Sequence, residues 1–251
     1  MRGAELALLG PLRLSGKLCF NTTRKKRRTW KVRPVRGLWN FFGGREEATD
    51  SISFSKQSGY HELELPSFLP LLVQDTFLAD KELKCCYKAS LDGFSAYKFH
   101  GCTDFKGPCV VLGLTRGGLR FGGFNPLGFR STDDYYDTFK AFLFYCPQGD
   151  SPPVILPKIG GSGAAIFDYA RGGPQFGADG LLIGPPLVPV MGGLSGPDPN
   201  KGEGDLSQAK SRLGLSYACR PDGKDSIFGD DKKATVVEIE VFTCPAIRDM
   251  Y

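Results

Sequence analysis

Eight cysteines and two histidines are the side chains of this 251-residue chain best suited to nucleophilic, redox or metal chemistry. The cysteines stand at 19, 85, 86, 102, 109, 146, 219 and 244, and no two form a C-x-x-C pair. Neither a dithiol redox site nor a zinc ribbon follows from that spacing. Cys85 and Cys86 are adjacent, so on a strand they point to opposite faces. His100-Gly101-Cys102 with Cys109 supplies three soft ligands at spacings that match no standard site. No metal and no cofactor is expected. A sensing or sacrificial thiol needs exposure and a lowered pKa. Cys102 is the one candidate, in a loop-like stretch beside Lys98, His100 and Lys106, whose charges could favour a thiolate. Cys85, Cys109, Cys146, Cys219 and Cys244 lie in or beside apolar runs and are expected to be buried. Irregular cysteine spacing in a chain of this length points to a reducing compartment rather than a disulfide scaffold.

A triad-type hydrolase would have to use His61 or His100. His61 falls in a linker-like stretch without a preorganised partner, and His100 reads as a surface histidine. The nucleophile elbow is absent: Ala164 follows Gly160-Gly161-Ser162-Gly163, and Pro197 follows Gly193-Leu194-Ser195-Gly196. No G-K-[ST] closes any glycine-rich loop, so there is no P-loop. Asp198-Pro199-Asn200-Lys201-Gly202 starts like a calcium loop but lacks its register and terminal Glu. The remaining acids of interest are Asp92, Asp168, Asp179, Glu238 and Glu240. Paired carboxylates do acid–base work only if burial splits their pKa values. For Glu238 and Glu240 the default is a charged outer sheet face.

Glycine and proline are abundant, 33 and 18 residues, which favours turn-rich β structure to hold these groups. A short helix is expected within 66–80, opened by Pro66. From residue 83 the apolar period becomes two, placing Leu83, Cys85, Tyr87 and Ala89 on one strand face. Another short helix fits 95–100. Strands are expected at 110–114 and 119–124 around an Arg116-Gly117-Gly118 hairpin, and at 141–145, 154–156, 164–169, 181–183, 213–219 and 235–242. In the last, Val237, Ile239 and Val241 share one face and Glu238 and Glu240 the other. Residues 185–212 read as a long loop insertion.

Charge divides the chain. Residues 1–45 carry 12 Lys/Arg and one acid, while 46–251 carry 20 Lys/Arg and 26 acids, so +11 and −6 make up the net +5. The arm 1–45 reads as an organelle transit peptide, a nuclear or nucleolar signal at Arg24–Arg28, or a solvated tail. Residues 46–61 read as a linker. The acidic body argues against nucleic-acid binding. The longest apolar run, 181–194, is broken by prolines and too short for a transmembrane helix.

An ordered series of Gly-aromatic motifs runs through the body: Asp92-Gly93, Gly107-Pro108, Phe121-Gly122-Gly123-Phe124, Ala141-Phe142-Leu143-Phe144, Gly173-Pro174-Gln175-Phe176-Gly177 and Glu238-Ile239-Glu240-Val241-Phe242. In this order, over about 62–246, the chain resembles the TLDc domain family. The resemblance implies an α+β, mainly β fold: a sandwich of two antiparallel sheets with a few short peripheral helices. It also implies a role in protection against oxidative stress, and supplies no agreed catalytic residues. Phe129 stands where the family often has Trp, and Ala178-Asp179-Gly180 replaces a longer His-containing turn. The basic leader resembles that of plant-type members, which implies the chloroplast rather than the nucleus, nucleolus or cytosol. Some relatives bind the vacuolar proton-pumping ATPase, a partner open to this chain only outside the plastid. Two functions are therefore expected to compete: a soluble, non-enzymatic interaction module whose protein partner is unknown, or an enzyme of unknown reaction using acids or a thiol in a Gly-lined cleft.

Overall fold

The computed structural model describes residues 59–147, 152–160, 164–185 and 203–250. The basic arm 1–45, most of the expected linker, and 186–202 lie outside the described residues.

Eleven strands and three short α-helices follow in the order α1 (Leu69–Val73), β1 (Lys84–Lys88), α2 (Ala89–Asp92), α3 (Ala96–Thr103), β2 (Cys109–Thr115), β3 (Arg120–Asn125), β4 (Asp134–Tyr136), β5 (Phe142–Cys146), β6 (Val154–Pro157), β7 (Ile166–Asp168), β8 (Gln175–Phe176), β9 (Leu181–Ile183), β10 (Gln208–Lys210) and β11 (Lys233–Thr243). A 3₁₀ turn, Pro245–Met250, ends the described chain. Pro70 is the second residue of α1, in the first turn, where its missing N–H would have no helical partner. Ser95 caps α3, accepting the Lys98 amide on its hydroxyl at 3.2 Å. The helix runs three residues past His100, so Cys102 is helical rather than in a loop.

Every strand pairing is antiparallel, in the order β4-β7-β8-β9-β10-β11-β2-β3-β5-β6, with β1 also on β11. The mainly β, antiparallel class with a few short helices is as expected. Two separate sheets are not what forms. Hydrogen bonding runs unbroken through β11, whose first residues pair with β10 while Glu240–Thr243 pair with β1 and Val236–Thr243 with β2. One buried cluster holds Val111, Phe121 and Leu143 from β2, β3 and β5 together with Ile166, Phe176, Leu181 and Ala209 from β7–β10. A continuous sheet whose two arms meet in one core must curl, and β11 is the line along which it does.

The strand period of two explains the two cores. In β2, Val111 faces the inner cluster, while Val110 and Leu112 face a second cluster closed by Leu69, Leu72 and Val73 of α1. Burying both faces makes β2 nearly all apolar, as its Cys-Val-Val-Leu run requires. Gly122 and Gly123 of β3 sit where nothing larger fits. A Cβ on Gly122 would lie 1.9 Å from the Val111 carbonyl oxygen, and one on Gly123 would lie 2.7 Å from the Phe176 ring. Close approach, not an unusual φ, is what these glycines allow.

Four local expectations are corrected. A bulge between Cys85 and Tyr87 puts Leu83 and Cys85 in the outer cluster and Tyr87 in the inner one, with Ala89 already in α2, so the four do not share one face. Residues 213–219 form no strand: only Tyr217 bridges, to Lys158, and its hydroxyl donates to the Ala165 carbonyl at 2.7 Å. The supposed loop 185–212 contains β10, whose short Gln-Ala-Lys run buries only Ala209 and so shows little periodicity. In β11 the register shifts between Val236 and Glu238, so Val236 is buried and Val237 is 41% exposed.

Candidate functional site

On the α1 side of the sheet, beyond the part that α1 covers, the surface dips into a groove of about 630 Å³. Leu112–Leu114 of β2 form its floor, the 64–67 segment one wall, and Lys88, Glu238, Glu240 and Arg120 the polar lining. Strand register assembles it: Lys88 lies opposite Glu240, Glu240 opposite Leu112, and Leu114 opposite Arg120. They share one sheet face because directly paired residues point to the same side, and Leu112 and Leu114, like Glu238 and Glu240, are two residues apart.

The Lys88 ammonium sits between the two carboxylates. It bonds Glu240 Oε1 and lies 3.3 Å from Glu238 Oε2. Glu238 also accepts the Ser90 amide at 3.0 Å and the Ser90 hydroxyl at 2.5 Å. Burial pushes Glu238 up, but the Ser90 bonds and Lys88 outweigh it and hold the carboxyl below its usual range. Burial pulls Lys88 down, and Glu240 and Glu238 more than restore it, so its pKa ends raised. Both groups are therefore fixed in their charged forms near neutrality. A general acid needs a raised carboxyl and a lysine base a lowered ammonium, and this arrangement does the opposite.

Asp92 supports one end. Its Oδ2 accepts the Lys88 amide at 2.8 Å and sits 2.8 Å from His61 Nε2. The His61 amide in turn donates to the Cys85 carbonyl at 2.8 Å. His61 is thus preorganised, contrary to the linker reading, because the chain from 59 lies against β1. Among the described residues its ring is bonded by Asp92 and by no hydroxyl or thiol.

His100 is not a surface residue. It is 6% exposed, with Nδ1 2.8 Å from Asp104 Oδ1 and Nε2 2.9 Å from the Gly172 carbonyl. Nor does Cys102 have a stabilised thiolate. It is half-buried on α3, and burial and the nearby Asp92 charge raise its pKa against the opposing pull of Lys106 and Lys98. Burial pushes Cys85 and Cys86 to about 12. Cys219, expected to be buried, is exposed, because the 213–219 stretch is an irregular surface turn. The described residues contain no group of three or more His, Cys, Asp or Glu placed to hold a metal ion. No helix among them is long and apolar enough to cross a membrane.

A model of the TLDc domain matches residues 63–245. The chain belongs to the TLDc domain family. A search of curated proteins returns no match.

The TLDc motif residues fall into two groups. Glu238, Glu240 and, through the Lys88 amide, Asp92 converge on the groove. The others are architectural. Gly93 ends α2, and its carbonyl accepts the Tyr87 hydroxyl at 2.7 Å. Gly107 and Pro108 turn the chain into β2, with the Thr243 hydroxyl 2.9 Å from the Pro108 carbonyl. Phe121 and Phe176 fill the inner core, and Phe144 the outer one with Phe142 packed against it. Gly173 and Pro174 lead into β8: the Gly173 amide donates to the Gly184 carbonyl, and the Pro174 carbonyl accepts the Ile183 amide. Gly177 leaves β8 with φ +68° against Ser216. Phe129 packs edge-on against Phe99 at 5.0 Å. Sequence reasoning missed Lys88, Ser90 and Arg120. The outward position of Lys88 in the β1 alternation was the available signal, and its pairing with Glu240, 152 residues away, was not.

Proposed function

We propose that this TLDc domain is a non-enzymatic interaction module that contributes to protection against oxidative stress. The observation carrying the first part is the Lys88–Glu238–Glu240 set, in which Lys88 is bonded to Glu240 and close to Glu238, with the Lys88 pKa raised and the Glu238 pKa lowered, the reverse of what a lysine base or a carboxylic general acid needs. The stress role rests on family membership, and the raised thiol pKa values favour protection through a partner over direct peroxide chemistry. The basic, acid-poor arm motivates a plastid address. The test is complementation of a peroxide-sensitive strain lacking its own TLDc protein. Full-length protein should restore survival, and a Glu238→Gln/Glu240→Gln variant with unchanged circular dichroism should not. Full rescue by that folded variant would refute the groove as the working surface. A reporter fusion of residues 1–45 seen only in the nucleus would refute the address.

A further inference from the structure

The His100 ring has an acceptor at each end. A backbone carbonyl only accepts, so Nε2, 2.9 Å from Gly172 O, must carry a proton. At the other end Asp104 Oδ1 lies 2.8 Å from Nδ1, and Asp104 Oδ2 accepts the Ser131 hydroxyl at 2.5 Å, so the carboxyl serves as an acceptor at both oxygens. Nδ1 must then be protonated as well. We propose that His100 is a buried imidazolium latching α3 to the Gly172 turn, and that loss of its proton releases this latch as pH rises.

What the latch holds is specific. The Gly173 amide donates to the Gly184 carbonyl at 3.0 Å, and the Arg171 carbonyl accepts the Gly204 amide at 2.8 Å. The Gly204 carbonyl accepts the Ala96 amide at the start of α3, and Glu203 accepts the Tyr97 amide. The turn 171–173 and the stretch 203–206 thus brace one helix, with His100 as the only side-chain bond among the described residues joining α3 to the turn.

The charged neighbours are few. Asp104 is on the same helix. Asp168 of β7 is fully buried, with Oδ2 accepting the Arg130 amide at 2.8 Å and Oδ1 without a hydrogen bond. From β2 the neutral thiol of Cys109 faces Asp168. In the loop after β3, Phe129 stands edge-on to the imidazole, and Asp133 is engaged by the Ala170 amide. Arg171 flanks Gly172. Burial pulls the imidazole down, but the Asp104 bond, the Asp104 and Asp168 charges and the Gly172 carbonyl together raise it above its ordinary value. A raised folded pKa sets the sign: the contribution is complete below the ordinary imidazole pKa and is lost as pH rises through the folded one.

With only two histidines in the chain, ring ¹⁵N NMR of the full-length protein is a direct test. The signal absent from His100→Gln belongs to His100. Both its nitrogens should carry protons at pH 7, and the Gly172 and Gly173 amide shifts should titrate with the ring at a midpoint above the ordinary imidazole range. A neutral tautomer at pH 7, or glycine amides that do not follow the ring, would overturn the proposal. Thermal melts give a second arm. The wild type should lose Tm as pH rises through the ring midpoint, and His100→Gln should lose that step. Parallel Tm profiles for the two proteins would also overturn it.

Discussion

A lysine between two glutamates on a sheet face costs little only while all three are present. Removing the ammonium leaves two carboxylates, 18–19% exposed, on adjacent turns of the β11 pleat. Lys88→Met is expected to lower stability by about 1–3 kcal/mol, the cost of stranding buried polar partners. The pH dependence follows from two signs. Glu238 has a depressed folded pKa, so its contribution is present above the unfolded carboxylate value and is lost as pH falls through the folded one. Lys88 has a raised folded pKa, so its contribution is present below the unfolded lysine value and is lost as pH rises through the folded one. Urea unfolding of wild type and Lys88→Met from acid to alkaline pH checks both. The variant should lose least, relative to wild type, at the two extremes.

At the scale of elements, β3 carries the sharpest steric constraint. A side chain at Gly123 meets the Phe176 ring at 2.7 Å and Leu143 Cδ2 at 3.0 Å, so Gly123→Val drives a wedge between the two arms of the sheet. A loss of about 1–3 kcal/mol is expected, as for overpacking elsewhere. Gly160→Ala, with open space around its Cβ, should stay within about 0.5 kcal/mol. Denaturant midpoints decide, and equal midpoints for Gly123→Val and wild type would show that the arms do not touch there.

Strands with strict alternation or continuous apolar runs were legible in the sequence: β2, β3, β5 and most of β11. Of the shorter strands, β6, β7 and β9 fall where strands were expected, at 154–156, 164–169 and 181–183, whereas β4, β8 and β10 were not legible. β4 and β10 have three residues each, too few for a period to stand out, and they exist because neighbouring strands offer them ladder partners. Leu213–Cys219 misled in the other direction. Its buried residues Leu213 and Tyr217 pack from a turn that meets only the end of β6, through the Tyr217–Lys158 bridge and the Ala218 amide on the Pro157 carbonyl. The groove was half legible. The alternation put Glu238 and Glu240 on one face, and only the fold could bring Lys88 and Arg120 to them. His100 was misread because nothing local marks a histidine whose partners are one turn of helix and 72 residues away.

For the molecule as a whole, composition sets one further expectation. Residues 1–45 carry +11 and the remainder −6. Deleting 1–45 should leave Tm nearly unchanged and move the isoelectric point from about 8.7 to the acidic side. Calorimetry and isoelectric focusing of the truncated protein test this, and a large drop in Tm would show that the domain draws stability from the arm.

β11 is the last strand of the array, yet it pairs with β10, β1 and β2 at once. While the chain is still being synthesised, the strands on either side therefore lack the ladder that joins them. Loop closures of more than 100 residues, such as that from β2 to β11, must wait until β11 itself has emerged. Until β11 is made, the strands synthesised earlier keep open edges, and that interval is when the domain depends most on chaperones.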